Sequence, residues 1–184
     1  MWTFLAIILI LALYVVSIYN GLVARRNQSR EAWATIDTQL KRRHDLIPNL
    51  VSAVKGAAKH ESGTLDAVVK ARTAAVGAKN IDAKSKAETQ LTHALKSIFA
   101  LAESYPTLRA NENFLELQRE LSDTENKIQS SRQFYNTVVM GLNTRIDQFP
   151  SNIIANMFKV EKEKFFELDE EEKKAVKKAP KVEF

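Results

Sequence analysis

The first 24 residues carry no charged side chain. Within them, Trp2 to Tyr19 reads WTFLAIILILALYVVSIY. A helix needs ~20 mostly apolar residues to cross the ~30 Å hydrocarbon slab of a bilayer. At ~1.5 Å per residue, the step from Trp2 to Tyr19 covers roughly 26 Å. The two aromatics stand where interfacial anchors belong, one at each boundary. A cleaved signal peptide is the rival reading, and it calls for a basic leading region and a small-x-small cleavage site. Neither accompanies this run, which continues as Asn20-Gly21-Leu22-Val23-Ala24. A retained single-pass anchor over residues 1–24 is therefore expected. Arg25, Arg26 and Arg30 follow it, so the positive-inside rule places the N-terminus outside and the body in the cytoplasm.

Composition narrows the rest. The chain has 184 residues, 45% of them apolar and 27% charged, which suits one packed domain with an appendage. There is no cysteine, so disulfides, thiolate metal sites and a cysteine nucleophile are excluded. Five Gly and four Pro are too few for a turn-rich β-sandwich and suit long helices. A net charge of +5 does not by itself indicate nucleic-acid binding.

After Arg25 the apolar residues keep a heptad rhythm. Trp33, Leu40, Ile47 and Val54 are seven apart, with Ile36, Leu50 and Ala57 on the adjoining seam. This predicts a helix from about Ala24 to His60, continuous with the anchor and kinked near Asp45-Leu46-Ile47-Pro48. A second helix is predicted over Leu65 to Lys79, capped by Ser62 or Thr64, with Leu65, Val68, Val69, Arg72 and Val76 inward. A third, capped by Asp82, runs to Tyr105 with Leu91, Leu95, Ile98, Ala102 and Tyr105 inward, and Pro106 ends it. The fourth begins near Asn111 or Asn113 and ends at Pro150. In it Phe114, Leu121, Ile128, Tyr135, Leu142 and Phe149 recur every seven residues, beside a seam of Leu117, Thr124, Ser131, Val138 and Arg145. Short connections favour antiparallel neighbours. The expected fold is all-α: a single transmembrane helix followed by an antiparallel four-helix bundle with long first and fourth helices, paired in coiled-coil fashion.

In that topology helix four returns toward the membrane. The apolar stretch from Ile153 to Phe158, with Phe165 and Phe166, then either meets the bilayer interface or covers the base of the bundle core. Residues 159–184 hold eight Lys and eight acidic residues, so the +5 resides in residues 25–158. This charged tail is expected to be mobile or marginally helical. Its ending Pro180-Lys181-Val182-Glu183-Phe184 could add as a strand to a groove that captures a terminal carboxylate, or be an ordinary frayed end.

Motifs for chemistry are scarce. None of His44, His60 or His93 has a Glu three residues before it, as a di-iron bundle needs. His60-Glu61 lacks the second histidine of a zinc-protease signature. Ser52-x-x-Lys55 lacks the companion elements of the penicillin-binding fold. No phosphate-binding glycine loop is present. Polar residues on the inward stripes carry more weight. Asp37, Arg43, Asp45, Arg72, Glu103, Glu125 and Arg132 fall on or beside them, either as interhelical ion pairs that set register or as a ligand or partner site. A basic triplet, Lys41-Arg42-Arg43, lies roughly 22 Å beyond the membrane flank along a helix, too far for headgroups to explain.

Several stretches resemble the LemA family of bacterial membrane proteins. They are Tyr19-Asn20-Gly21-Leu22-Val23 with Arg26-Asn27, and Gln39 to Val51 around His44-Asp45-Leu46-Ile47-Pro48. To these are added His60-Glu61, Ala71-Arg72, Tyr105-Pro106-x-Leu108-x-Ala110-Asn111-x-x-Phe114, and Thr124-Glu125-Asn126-x-Ile128-x-x-x-Arg132-x-x-Tyr135-Asn136. Phe149-Pro150-Ser151-Asn152 and Pro180-x-Val182-x-Phe184 complete the match, in order and over nearly the whole chain. The resemblance implies an N-terminal membrane anchor and a helical-bundle body, which agrees with an anchor over 1–24, a LemA-like helical bundle over 25–158 and a charged tail over 159–184 read from the residues. It implies no established catalytic activity, and a molecular role that is poorly defined. Some members are associated with a membrane zinc metalloprotease, and a related protein with magnetosome membrane biogenesis. The expectation is a non-enzymatic interaction or scaffold protein in membrane organisation or envelope stress, at the bacterial inner membrane. It carries no catalytic residue, cofactor or metal, and its partners are the bilayer, itself as a homo-oligomer, or another membrane protein. Two alternatives stay open: an adaptor for the metalloprotease, and a ligand-binding bundle with an unrecognised site. Nucleic acid is not an expected partner.

Overall fold

The computed structural model describes residues 1–58 and 61–166. Among these residues the only regular element is helix. Helix α1 spans Trp2–Ala57, α2 Ser62–Gly77, α3 Ile81–Glu103, α4 Pro106–Arg109, α5 Glu112–Asp147 and α6 Ser151–Met157. The chain divides into two compact units. One comprises Met1–Asp37 and Ser130–Phe165; the other comprises Thr38–Gln129, with Phe166.

In the first unit α1 begins bare. Side chains from Met1 to Leu13 all face outward, and the helix is long and apolar enough to cross a membrane. Protein packing starts at Ile18 and Leu22, which meet Leu142 and Ile146 of α5 and Ile154 and Ala155 of α6. Higher up, Trp33 packs edge-on against Tyr135, with ring centroids 5.4 Å apart. Helix α6 closes with the two bonds of a Schellman motif: Val160 N–H donates to the Ala155 carbonyl (2.8 Å) and Lys159 N–H to that of Asn156 (3.2 Å). Lys159 takes the left-handed position there, φ 53°, where glycine is usual.

That reversal lays residues 160–165 back along the unit. Asn143 clamps Glu163, its Nδ2 donating to the Glu163 carbonyl (2.9 Å) and its Oδ1 accepting from the Glu163 N–H (3.0 Å). Tyr135 donates its hydroxyl to the Lys164 carbonyl (2.9 Å), Ser29 donates to the Glu163 carboxylate, and Lys162 pairs with Asp147 at 2.7 Å. These bonds hold residues 162–164, which the charge pattern had grouped with the tail. Charge composition does not mark this, because the Asn143 and Tyr135 bonds are made to backbone atoms of Glu163 and Lys164. The acidic and basic run beyond residue 166, the Pro180–Phe184 ending and His60 lie outside the described residues.

The second unit has its own apolar core. Ile47, Leu50 and Val54 of α1 meet Leu65 and Val68 of α2, Leu91, Leu95 and Ile98 of α3, Leu108 of α4, and Phe114 and Leu121 of α5. Each fully buried Leu or Ile contributes roughly 1.5–3 kcal/mol relative to exposure. Helix α1 runs through Pro48 without a break. Proline cannot donate to the carbonyl four residues back, that of His44. Arg72 of α2 supplies the missing donor, its Nε lying 2.8 Å from that carbonyl oxygen.

Several local expectations change. Glu61 occupies the cap position of α2 without a capping bond, in place of Ser62 or Thr64. Asn80, not Asp82, caps α3 by accepting from Ala83 N–H at 2.8 Å. Asn111 caps α5 through Phe114 N–H at 3.1 Å. Pro106 does more than end α3: it opens the one-turn α4, where its missing N–H costs nothing. On α2, Ala75 is buried while Val69 and Val76 are exposed. Phe149 is 80% exposed, because α5 ends at Asp147 before the heptad reaches it. An α-helix drifts about 20° per heptad against a 3.5-residue repeat. The buried stripe of α5 has accordingly moved from position 145 to Ile146 by its last turn.

Candidate functional site

The second unit buries a charged cluster. Arg43 of α1 has 2% of its side chain exposed and Glu88 of α3 has 7%. One Arg43 Nη donates to the Glu88 carboxylate, and the other to Glu125 of α5 and to Thr92 Oγ1 (3.1 Å). The second Glu88 oxygen lies 2.8 Å from His44 Nε2. An ionised carboxylate can only accept, so Nε2 carries the hydrogen in this pair. One buried carboxylate thereby answers two donors on adjacent residues of α1.

Burial alone would push the Glu88 carboxyl up. The His44 hydrogen bond and the Arg43 charge outweigh it and hold the carboxyl below its ordinary range. Glu125 keeps 36% of its side chain exposed. It and Arg43 face a cleft of about 260 Å³ whose apolar lining includes Leu95, Phe99 and Leu121. Arg43 Nε is buried and makes no hydrogen bond among the described residues.

The sequence-selected residues separate into groups. Arg43 and Glu125 come together. Arg72 joins them through the backbone, at the His44 carbonyl described above. Asp45 does not join: it is exposed and pairs with Lys41 at 2.6 Å, one turn away, which holds its carboxyl below the usual range. Glu103 is also exposed, at the edge of an open depression with Lys96 and Arg109. Both sit one position off the buried stripe. Asp37 and Arg132 are half-buried in the first unit. The basic triplet is matched by carboxylates of its own unit, Lys41 by Asp45, Arg42 by Glu120 at 3.9 Å and Arg43 by Glu88 and Glu125.

Sequence reasoning missed Glu88, His44 and Thr92. Glu88 was findable, since 88, 91, 95, 98 and 102 form one stripe at spacings of three and four. His44 and Thr92 carried no such signal.

In the first unit, Trp2 is 84% exposed at the start of the bare helix, and Tyr19 is half-buried where packing begins. Arg25 and Arg26 are exposed two turns further on. Tyr19 lies against Phe158, with ring centroids 4.5 Å apart. Close by in sequence to Phe158, Phe149, Ile153 and Met157 are each more than half exposed.

Among known proteins, the sequence model of the LemA family matches residues 32–184. The chain is also similar to the protein LemA of Metamycoplasma hominis, at 26% identity over 140 residues. That alignment takes in 74% of this chain and 63% of the relative, so the chain spans under two thirds of its length.

Proposed function

The chain belongs to the LemA family, and from that premise we propose that it is a membrane-tethered, non-enzymatic interaction protein. In this reading α1 spans the bacterial cytoplasmic membrane once, and the remaining helices form an antiparallel four-helix bundle held beside it. The observation that carries the reading is the outward-facing, charge-free start of α1, which runs without a break into the helix that packs both units. Leaving such a surface in water is costly, at roughly 25 cal/mol per Å² of apolar area, and a bilayer removes that cost. Arg25, Arg26 and Arg30, all exposed, support a cytoplasmic body by the positive-inside rule. In the Arg43 cluster, Arg43, Glu88, His44 and Glu125 pair with one another, which suits a device for helix register and an interaction surface made of the helices' outer faces.

The test is extraction followed by crosslinking in native membranes. The full chain should stay in the membrane fraction after alkaline carbonate, with its N-terminal run intact, and should form adducts with itself or with other membrane proteins. Release into the supernatant, or a mature chain lacking the run, overturns the tether. A membrane-bound chain that crosslinks to no protein overturns the scaffold role.

A further inference from the structure

We propose that the outer face of α6 is a second membrane contact, an apolar foot that sits in the headgroup and upper acyl region of the same bilayer. The inference rests on the tether reading and deepens it. Helix α6 is two-faced. Ile154 and Ala155 are buried against α1 and α5, whereas Ile153 and Met157, four residues apart, are 56% and 60% exposed. Phe149 and Phe158, at either end of the helix, are 80% and 48% exposed. Four large apolar side chains within ten residues, all facing out, form a patch rather than isolated surface residues.

The occupant follows from where this patch lies. Phe158 is in ring contact with Tyr19, and Tyr19 is where α1 passes from bare to packed. The foot is therefore level with the end of the exposed apolar helix and continuous with it. Distance points the same way. From Trp2 to Val16 the bare helix covers only about 21 Å, against a hydrocarbon slab of ~30 Å. Ile18 is already covered by α5 and α6. With Trp2 at one interface, the base of the first unit must settle into the opposite one to make up the difference. Charge agrees: Lys159 directly after the foot, and Arg25 and Arg26 on α1, are exposed cations placed for anionic headgroups. The Schellman reversal at Lys159 and the Asn143 clamp on Glu163 then turn the chain back along the unit, away from the foot.

Because the chain has no cysteine, single labels are clean. Ile153→Cys and Met157→Cys, at exposed positions, are labelled with an environment-sensitive dye in the full chain. The protein is reconstituted into phosphatidylcholine–phosphatidylglycerol vesicles. Leu9→Cys serves as the span reference and Gln133→Cys as the water reference. Labels at 153 and 157 should be protected from iodide several-fold relative to 133. Lipids carrying a quencher near the headgroup should quench them several-fold more strongly than lipids carrying it at the bilayer centre, with the reverse order at Leu9. Iodide access at 153 and 157 equal to that at 133 overturns the foot while a quenched Leu9 label preserves the tether. Protection from iodide without lipid quenching, rising with protein-to-lipid ratio, identifies a second copy as the occupant and also overturns it. An unquenched Leu9 label removes the tether and the foot with it.

Discussion

Replacing Arg43 with methionine tests the account of the charged cluster most severely. The substitution keeps an unbranched apolar stem and deletes the guanidinium. Glu88, with 7% of its side chain exposed, is then left with His44 as its remaining named partner. Removing one member of a buried pair leaves an uncompensated charge and costs about 3–5 kcal/mol. Glu125 contrasts with this. At 36% side-chain exposure its lost charge is screened by water, so Glu125→Gln should cost only about 0.2–1 kcal/mol. Glu88→Gln falls between, at roughly 1–3 kcal/mol, because Arg43 and His44 donate to different Glu88 oxygens and the amide replaces one of those acceptors with an NH2 donor. The assay is urea unfolding of the full chain in mild detergent, followed by helical circular dichroism and compared at equal slope. In thermal melts the Arg43→Met cost corresponds to a drop of roughly 6–20 °C for a chain of this size. An Arg43→Met variant within about 1 kcal/mol of the parent would refute the reasoning, as would a Glu125→Gln variant that is equally damaged.

Two pH responses follow, one in each unit. The Glu88 carboxyl titrates below its ordinary 4.5 in the folded chain. Its contribution is then fully present above that value and lost as pH falls through the lower folded one, so the urea midpoint should drop on acidification below about 4.5. Glu88→Gln should flatten that limb, and an unchanged slope contradicts the assignment. Tyr135 behaves oppositely: burial first, and then the neighbouring Glu163 charge, push its hydroxyl up to about 12, partly opposed by Ser29. Its stabilising share is present below the ordinary value of 10.0 and disappears as pH rises toward 12. Tyrosinate absorbance should show a late step near 12 that Tyr135→Phe abolishes; a late step that survives Tyr135→Phe rules this out.

The all-helical class and the bare apolar start of α1 were legible from residue order alone. Both depend on short-range properties, the 3.6-residue period and an unbroken run of uncharged side chains, that any window of the chain displays. The α5 stripe from Phe114 to Leu142 was legible for the same reason. Arg43 and Glu125 stood out by their stripe positions among seven polar residues, but nothing in the sequence paired one with the other. Which partners they find is a different matter. Glu88 and His44 meet only because α3 and α1 are brought side by side. The carbonyl that Pro48 leaves free is satisfied by Arg72, 28 residues away in sequence. The segment 160–165 read as tail because much of its attachment goes through backbone atoms of Glu163 and Lys164. Every residue type carries the same backbone groups, so no composition or period marks them. Periodicity states which face of a helix turns inward; only packing decides what meets it there.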